Sequence, residues 1–167
     1  MDLRDEQAFT AFVRDEADGL LRYARLLFAD SGEAEDALQT ALLRIAGRWH
    51  RGLDAPTAYA RTALRNLAVD GGRRRHLVAV PSDAEPSSAV QPDLAEAHAA
   101  AAQLDALLIT LPARQRATVV LRVVEGLSEA ETAAALGCSP GTVKSNLSRG
   151  LARLRAELAP SSERTGA

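Results

Sequence analysis

Leu127-Ser128-Glu129-Ala130-Glu131-Thr132-Ala133-Ala134-Ala135-Leu136-Gly137-Cys138-Ser139-Pro140-Gly141-Thr142-Val143-Lys144-Ser145 is the stretch that decides the fold. Ser128 and Glu131, three residues apart, form a capping box, the reciprocal pairing that satisfies the first free N–H groups of a helix. The short helix after it carries Ala133 and Ala134 inside, small enough for a neighbouring helix to approach. Gly137 ends it, because the tight turn calls for a left-handed backbone that glycine adopts without steric cost. Ser139 caps the next helix, and Pro140 takes its first position, where no N–H is needed. Two caps on either side of one glycine describe a helix-turn-helix.

The second helix of this motif divides into two faces. Val143, Leu147, Leu151, Leu154 and Leu158, spaced 4, 4, 3 and 4, form a core stripe. Away from it lie Lys144 and Ser148 (i, i+4), then Ser145, Arg149 and Arg153 (i, i+4, i+8). When such a helix enters the major groove, its early residues reach base edges while Ser and Arg side chains hold phosphates. A solvated face on an ordinary antiparallel helix pair is the plainer account. The paired caps, the Ala-x-x-x-Gly spacing and the basic outer face favour DNA. Gly150 in mid-helix costs about 1 kcal/mol relative to Ala, which tertiary packing must offset.

Upstream, an Ala-rich helix is expected over roughly 94–111, carrying Leu104, Leu107, Leu108 and Leu111. Pro112 suits the first turn of the next helix, which contains Val119, Val120, Leu121, Val123 and Val124. Pro81, Pro86 and Pro92, with Ser82, Ser87 and Ser88, fall where apolar periodicity fails. Such composition cannot bury enough surface to order itself, so residues 78–95 read as a flexible acidic linker. The chain then reads as all-α, with two small helical domains at 1–77 and 96–158 and a tail at 159–167.

Three helices are expected in the first domain. Phe9, Phe12, Val13, Leu20, Tyr23, Ala24 and Leu27 keep mostly to one face of the first. Asp30 and Glu33 suggest a capping box for the second, whose core stripe is Leu38, Leu42, Ile45 and Trp49. Another face of that helix carries Asp36, Gln39 and Leu43, read either as a solvated surface or as a docking surface for a partner helix. Asp54 or Thr57 could cap the third helix, which runs through Tyr59, Ala63, Leu64, Leu67 and Ala68. Its outer positions include Arg61 and Arg65, then Thr62, Asn66, Asp70 and Arg73, with Arg73-Arg74-Arg75-His76 at its close. Cations at a helix C-terminus complement the macrodipole, which accounts for one or two arginines. Five arginines with an asparagine on one short helix fit a phosphate-contacting face better.

Composition removes several classes. A single cysteine in 167 residues excludes a disulfide scaffold and any Cys-based zinc site, and suits a reducing compartment. His50, His76 and His98 lack spaced carboxylate or Cys partners, and there is no Gly-rich phosphate loop. Neither an enzyme, a metal nor a cofactor is therefore expected. The charged N-terminus lacks a secretory signal, and no apolar run is long enough to cross a bilayer, so a cytoplasmic protein is expected. The formal net charge of −2 argues on its face against nucleic acid, yet it is an average. Residues 51–78 carry +4 and residues 111–167 carry +3, against −4 in residues 1–50 and −5 in residues 79–110.

Leu127 to Leu158, with Gly141-Thr142-Val143-Lys144-Ser145 and Ser148-Arg149, resembles the promoter-reading C-terminal domain of bacterial extracytoplasmic-function (ECF) sigma factors. Ala34-Glu35-Asp36-Ala37-Leu38-Gln39-Thr40-Ala41-Leu42-Leu43-Arg44 is similar to their core-polymerase-binding helix. Tyr59-Ala60-Arg61-Thr62-Ala63-Leu64-Arg65-Asn66-Leu67-Ala68-Val69-Asp70, followed by Arg73-Arg74-Arg75, resembles their promoter-melting helix. The resemblance implies an alternative sigma factor whose partners are core RNA polymerase, promoter DNA and, in the family, anti-sigma proteins. It implies that Asp36, Gln39, Leu43 and Arg44 dock on polymerase, and that Arg61, Arg65, Asn66, Asp70, Arg73 and Arg74 engage the minus-ten element. It further implies that the loop from Arg48 to Thr57 accepts a flipped base, and that Lys144, Ser145, Ser148, Arg149 and Arg153 read the minus-thirty-five duplex. Residues 51–77 hold one aromatic, Tyr59, so melting is expected to rest on that loop and the arginines, with Tyr59 or Trp49 the available rings. Thr142-Val143-Lys144-Ser145 also looks like the helix-turn-helix of response-regulator output domains, so a transcriptional regulator is one alternative and a non-DNA polymerase adaptor another.

Overall fold

The computed structural model describes the backbone of residues 3–77 and 95–159, and the side chains of 3–71 and 102–159. Seven helices and no strand occur among these residues: α1 (Leu3–Leu27), α2 (Ser31–Trp49), α3 (Pro56–Leu77), α4 (Ala95–Ile109), α5 (Ala113–Val119), α6 (Glu129–Leu136) and α7 (Pro140–Leu158). The chain divides into two compact units between Asp93 and Leu94. Of the linker expected at 78–95, all but Ala95 lies outside the described residues, and Ala95 opens α4. Of the tail, Ala159 is described and forms the C-cap of α7.

In the first unit α1, α2 and α3 pack against one another, and alanine decides how closely. Ala24, Ala34, Ala37, Ala41, Ala60, Ala63 and Ala68 are buried alongside Leu20, Tyr23, Leu27, Phe28, Leu38, Ile45 and Leu64. Small side chains bring the helix backbones together, while the few large ones fill the space between. Asp30 caps α2 by accepting a hydrogen bond from the Glu33 N–H at 2.9 Å. The third helix starts differently from the sequence expectation. Neither Asp54 nor Thr57 is the cap; Ala55 supplies the carbonyl that accepts from Tyr59 N–H, and Pro56 stands first in the helix, where its missing N–H costs nothing. Trp49 belongs to an aromatic cluster, its ring 5.3 Å from both Phe9 and Phe12.

The second unit is organised around α5, which is buried continuously from Arg116 to Leu121. A helix enclosed on all sides cannot show the one-sided periodicity of a surface helix. It continues into a π-helical stretch, Val120–Val124, closed by Glu125 N–H donating to the Val120 carbonyl at 3.0 Å. Val119, Val120 and Leu121 are buried, but Val123 and Val124 are 60% and 51% exposed. The π turn carries them out of the core face on which regular helical spacing would group them. The Arg122 guanidinium donates to the Leu127 carbonyl and holds the loop leading into α6. Pro112 is the N-cap of α5, one position before the expected one, its carbonyl accepting from Arg116 N–H.

The helix-turn-helix has both expected caps. Ser128 Oγ accepts from Glu131 N–H while Glu131 Oε2 accepts from Ser128 N–H, so the box is reciprocal. Gly137 adopts φ 59° and ψ 45°, the left-handed turn. Ser139 Oγ accepts from Thr142 N–H at 3.1 Å, with Pro140 first in α7. Two expected core residues lie outside: Ala134 is exposed, and Leu158, at the free end of α7, is 66% exposed. Gly150 is buried against α5, and a Cβ there would lie 2.9 Å from Val119 Cγ2. Absence of a side chain is what lets α7 sit this close.

Gly150→Ala is expected to destabilise the protein by about 1–2 kcal/mol in denaturant titration, overpacking outweighing the gain in helix propensity. The loss should shrink when Val119→Ala makes room. A glycine tolerated merely by chance would give the opposite sign. Hydrogen bonding with Ser128, through its side chain first and its backbone second, holds the Glu131 carboxyl below the usual glutamate range. A carboxyl depressed in the folded state contributes stability above its unfolded pKa and loses it as pH falls through the folded one. The acid limb of the stability curve should therefore flatten in Glu131→Gln, measured by thermal melts between pH 5 and about pH 3.

Candidate nucleic-acid interface

The outer face of α7 is built by its start. Ser139 fixes the first turn, and its hydroxyl lies 2.9 Å from that of Thr142. From there the helical repeat brings Lys144, Ser148, Arg149 and Arg153 to the surface, all four exposed. Ser145 differs: it is half-buried, and its hydroxyl donates to the Thr142 carbonyl at 3.1 Å. The Lys144 ammonium lies 3.6 Å from Glu129 Oε2 at the first position of α6. Spacing along α7 does not point to Glu129. An acid in the first turn of α6 that the capping box leaves unused is the one signal for it in the sequence.

The arginines of α3 are held against the first unit rather than extended. The Arg61 guanidinium stacks 5.4 Å from the centre of the Tyr23 ring. Arg65 is half-buried, its Nη2 donating to Thr62 Oγ1 at 2.8 Å, while Thr62 Oγ1 donates to the Ala58 carbonyl at 3.0 Å. Asn66 and Asp70 are exposed further along the helix. Arg73 and Arg74 lie in its last turns, and their side chains fall outside the described residues. The helix gathers these six candidates on one element, with Arg61 and Arg65 already engaged by intramolecular contacts.

On α2, Asp36, Gln39, Leu43 and Arg44 are all exposed. Leu43 is 73% exposed, a large apolar side chain left beside an acid, an amide and a cation. The same end of α2 borders an open hollow of about 460 Å³ lined by Leu43, Arg44, Gly47, Arg48, Arg51 and Tyr59. Arg48 lies 5.1 Å from the centre of the half-buried Tyr59 ring, a cation–π pair at the lip of this hollow. Of the two rings considered for base stacking, Trp49 is taken by Phe9 and Phe12, and Tyr59 borders the hollow. Among the described residues no cluster of three or more His, Cys, Asp or Glu could hold a metal, and no helix is long and apolar enough to cross a membrane.

Comparison with known proteins agrees with this arrangement. Residues 12–77 match Sigma-70 region 2, and residues 101–154 match Sigma-70 region 4. The chain is 47% identical over 152 residues to an RNA polymerase sigma-E factor of Streptomyces avermitilis, spanning 90% of this chain and 84% of that one. It is 37% identical over 158 residues to the ECF RNA polymerase sigma factor SigM of Mycobacterium tuberculosis, spanning 90% and 76%. Among solved structures it is similar to the sigma factor RpoE of Bartonella quintana in complex with the anti-sigma factor NepR, with a TM-score of 0.60, 25% identity, and coverage of 93% and 99%. The chain belongs to the extracytoplasmic-function sigma factors, which bind core RNA polymerase and promoter DNA and direct promoter-specific initiation of transcription.

Proposed function

We propose a division of labour in which each unit handles one part of the promoter, without catalysis by the chain itself and in the cytoplasm. The single observation that carries it is the continuous exposed row of Lys144, Ser148, Arg149 and Arg153 on a helix whose start is fixed by its own cap. That row offers cations and hydroxyls at the spacing of one groove-facing helix surface, with Ser145 at its edge. Ser148 and the arginines contact phosphates and base edges of the minus-thirty-five duplex, with Lys144 deepest in the groove. The domain limits that accompany this reading are 1–77 and 96–158, joined by the acidic segment.

In the first unit, Leu43 is the centre of the polymerase contact, ringed by Asp36, Gln39 and Arg44. An apolar side chain left in water beside charged residues is a common composition for a docking spot. Arg61, Arg65, Asn66, Asp70, Arg73 and Arg74 engage the minus-ten element, the first two after exchanging their present partners for phosphates. The hollow beside Arg48, Arg51 and Tyr59 takes the base flipped from the non-template strand. Capture of that base offsets part of the few kcal/mol that unstacking costs. The RpoE relative is held by an anti-sigma factor, which supports a protein inhibitor as a further partner of this chain.

Core polymerase combined with the chain should initiate transcription on genomic DNA from a defined promoter. A stable complex that yields no transcript from any template would leave polymerase docking without promoter reading. Arg149→Ala should weaken holoenzyme binding to promoter by more than about 1 kcal/mol and clear the footprint over the upstream element. Leu43→Asp should abolish co-purification with core polymerase while leaving the circular dichroism melt unchanged, because the side chain is already in solvent.

A further inference from the structure

Lys144 is the only lysine in a chain that otherwise uses nineteen arginines for positive charge. It stands fifth in α7, its side chain is 69% exposed, and its ammonium faces the Glu129 carboxylate across the turn at 3.6 Å. Glu129 has no part in the capping box, which is complete with Ser128 and Glu131. Its carboxylate therefore reaches the neighbouring helix at the part of α7 that reads bases in a helix-turn-helix. A carboxylate beside incoming phosphates is unfavourable for binding to any duplex, so its place there calls for a use.

Chemistry at the pair supplies one. An ammonium is a compact point charge on a flexible stem, whereas a guanidinium grips a carboxylate with a fixed two-pronged geometry. Lysine can thus be held by Glu129 and still be handed over. Non-specific binding comes essentially from neutralising phosphates and releasing counterions, and a cation already neutralised by a carboxylate contributes little to it. A base edge that presents two acceptors in the major groove, such as guanine O6 and N7, offers the ammonium a replacement for the carboxylate.

We propose that Glu129 is a specificity-determining residue, whose carboxylate holds the Lys144 ammonium away from the phosphates of arbitrary duplex and yields it to the matching base edge of the upstream element. This rests on the reading that α7 enters the major groove. Exposed ion pairs of this kind are worth at most a few-fold in an equilibrium, which is the scale on which a specificity ratio is adjusted.

The test uses holoenzyme assembled from core polymerase and the full chain, with fluorescence anisotropy across a salt series. The probes are a promoter duplex and one of equal length with the upstream element scrambled. Glu129→Gln should tighten binding to the scrambled duplex about threefold to fivefold and change promoter binding by less than twofold. Its log–log salt dependence on the scrambled duplex should steepen by about 0.9, the signature of one more phosphate neutralised. Glu129→Ala should act in the same direction, with the Ser128–Glu131 box left to hold α6. In a Lys144→Met background, Glu129→Gln should change neither quantity. An unchanged specificity ratio and salt slope would overturn the inference, as would an effect that persists without the lysine. Lys144→Met that weakens promoter binding while Glu129→Gln does nothing would overturn the inference alone. Lys144→Met with promoter affinity intact would overturn both the inference and the reading of α7.

Discussion

The approach of α7 to α5 at Gly150 sets the position of everything the second unit presents to DNA. With a Cβ excluded at 2.9 Å from Val119 Cγ2, the helix seats directly on the buried rod of α5. Its outer row then projects at one fixed angle. Packed interiors transmit displacement rather than absorb it. A shift of α7 on α5 would therefore move Lys144, Arg149 and Arg153 together. The first unit reaches the same end by distributing the device over seven buried alanines, so that three helices approach closely and their outer faces stay free.

Charge is placed with the same care. A near-neutral total conceals two basic segments set against acidic ones, and the structure adds local neutralisation on top of the regional one. Arg61 rests on Tyr23, Arg48 on Tyr59, and Lys144 on Glu129. Several of the cations assigned to nucleic acid are thus occupied inside the free protein. Each must exchange one partner for another, so the gain on binding DNA is a difference between two contacts.

Much of this is legible in the residues because the signals are local. Ser128 with Glu131, Gly137, and Ser139 with Pro140 each act within one helical turn, and all three devices form in the structure. The exposed stripe on α2 is also visible, since 3.6-residue spacing alone separates Leu43 from Leu38, Leu42 and Ile45. The features that escape depend on tertiary surroundings. The start of α3 passes to Ala55 and Pro56 because a proline at the first helical position removes the need for a side-chain cap. Trp49 is lost to base stacking because Phe9 and Phe12, far away in sequence, converge on it. The Glu129–Lys144 pair joins two helices across a turn, and no single-helix spacing rule reports it.

The π-helical stretch between Val120 and Val124 makes chain length itself a structural variable. Such a turn accommodates one residue more than an α-helix of the same rise. Loss of a single residue there would let the helix resume α spacing and rotate the downstream segment by about 100°, carrying Val123 or Val124 toward the interior. Displacing Arg122 as well would free the Leu127 carbonyl it now engages and loosen the entry into the helix-turn-helix. Polar substitutions at the exposed Val123 and Val124 change surface chemistry alone, whereas insertions and deletions in this stretch re-aim the DNA-reading half of the molecule.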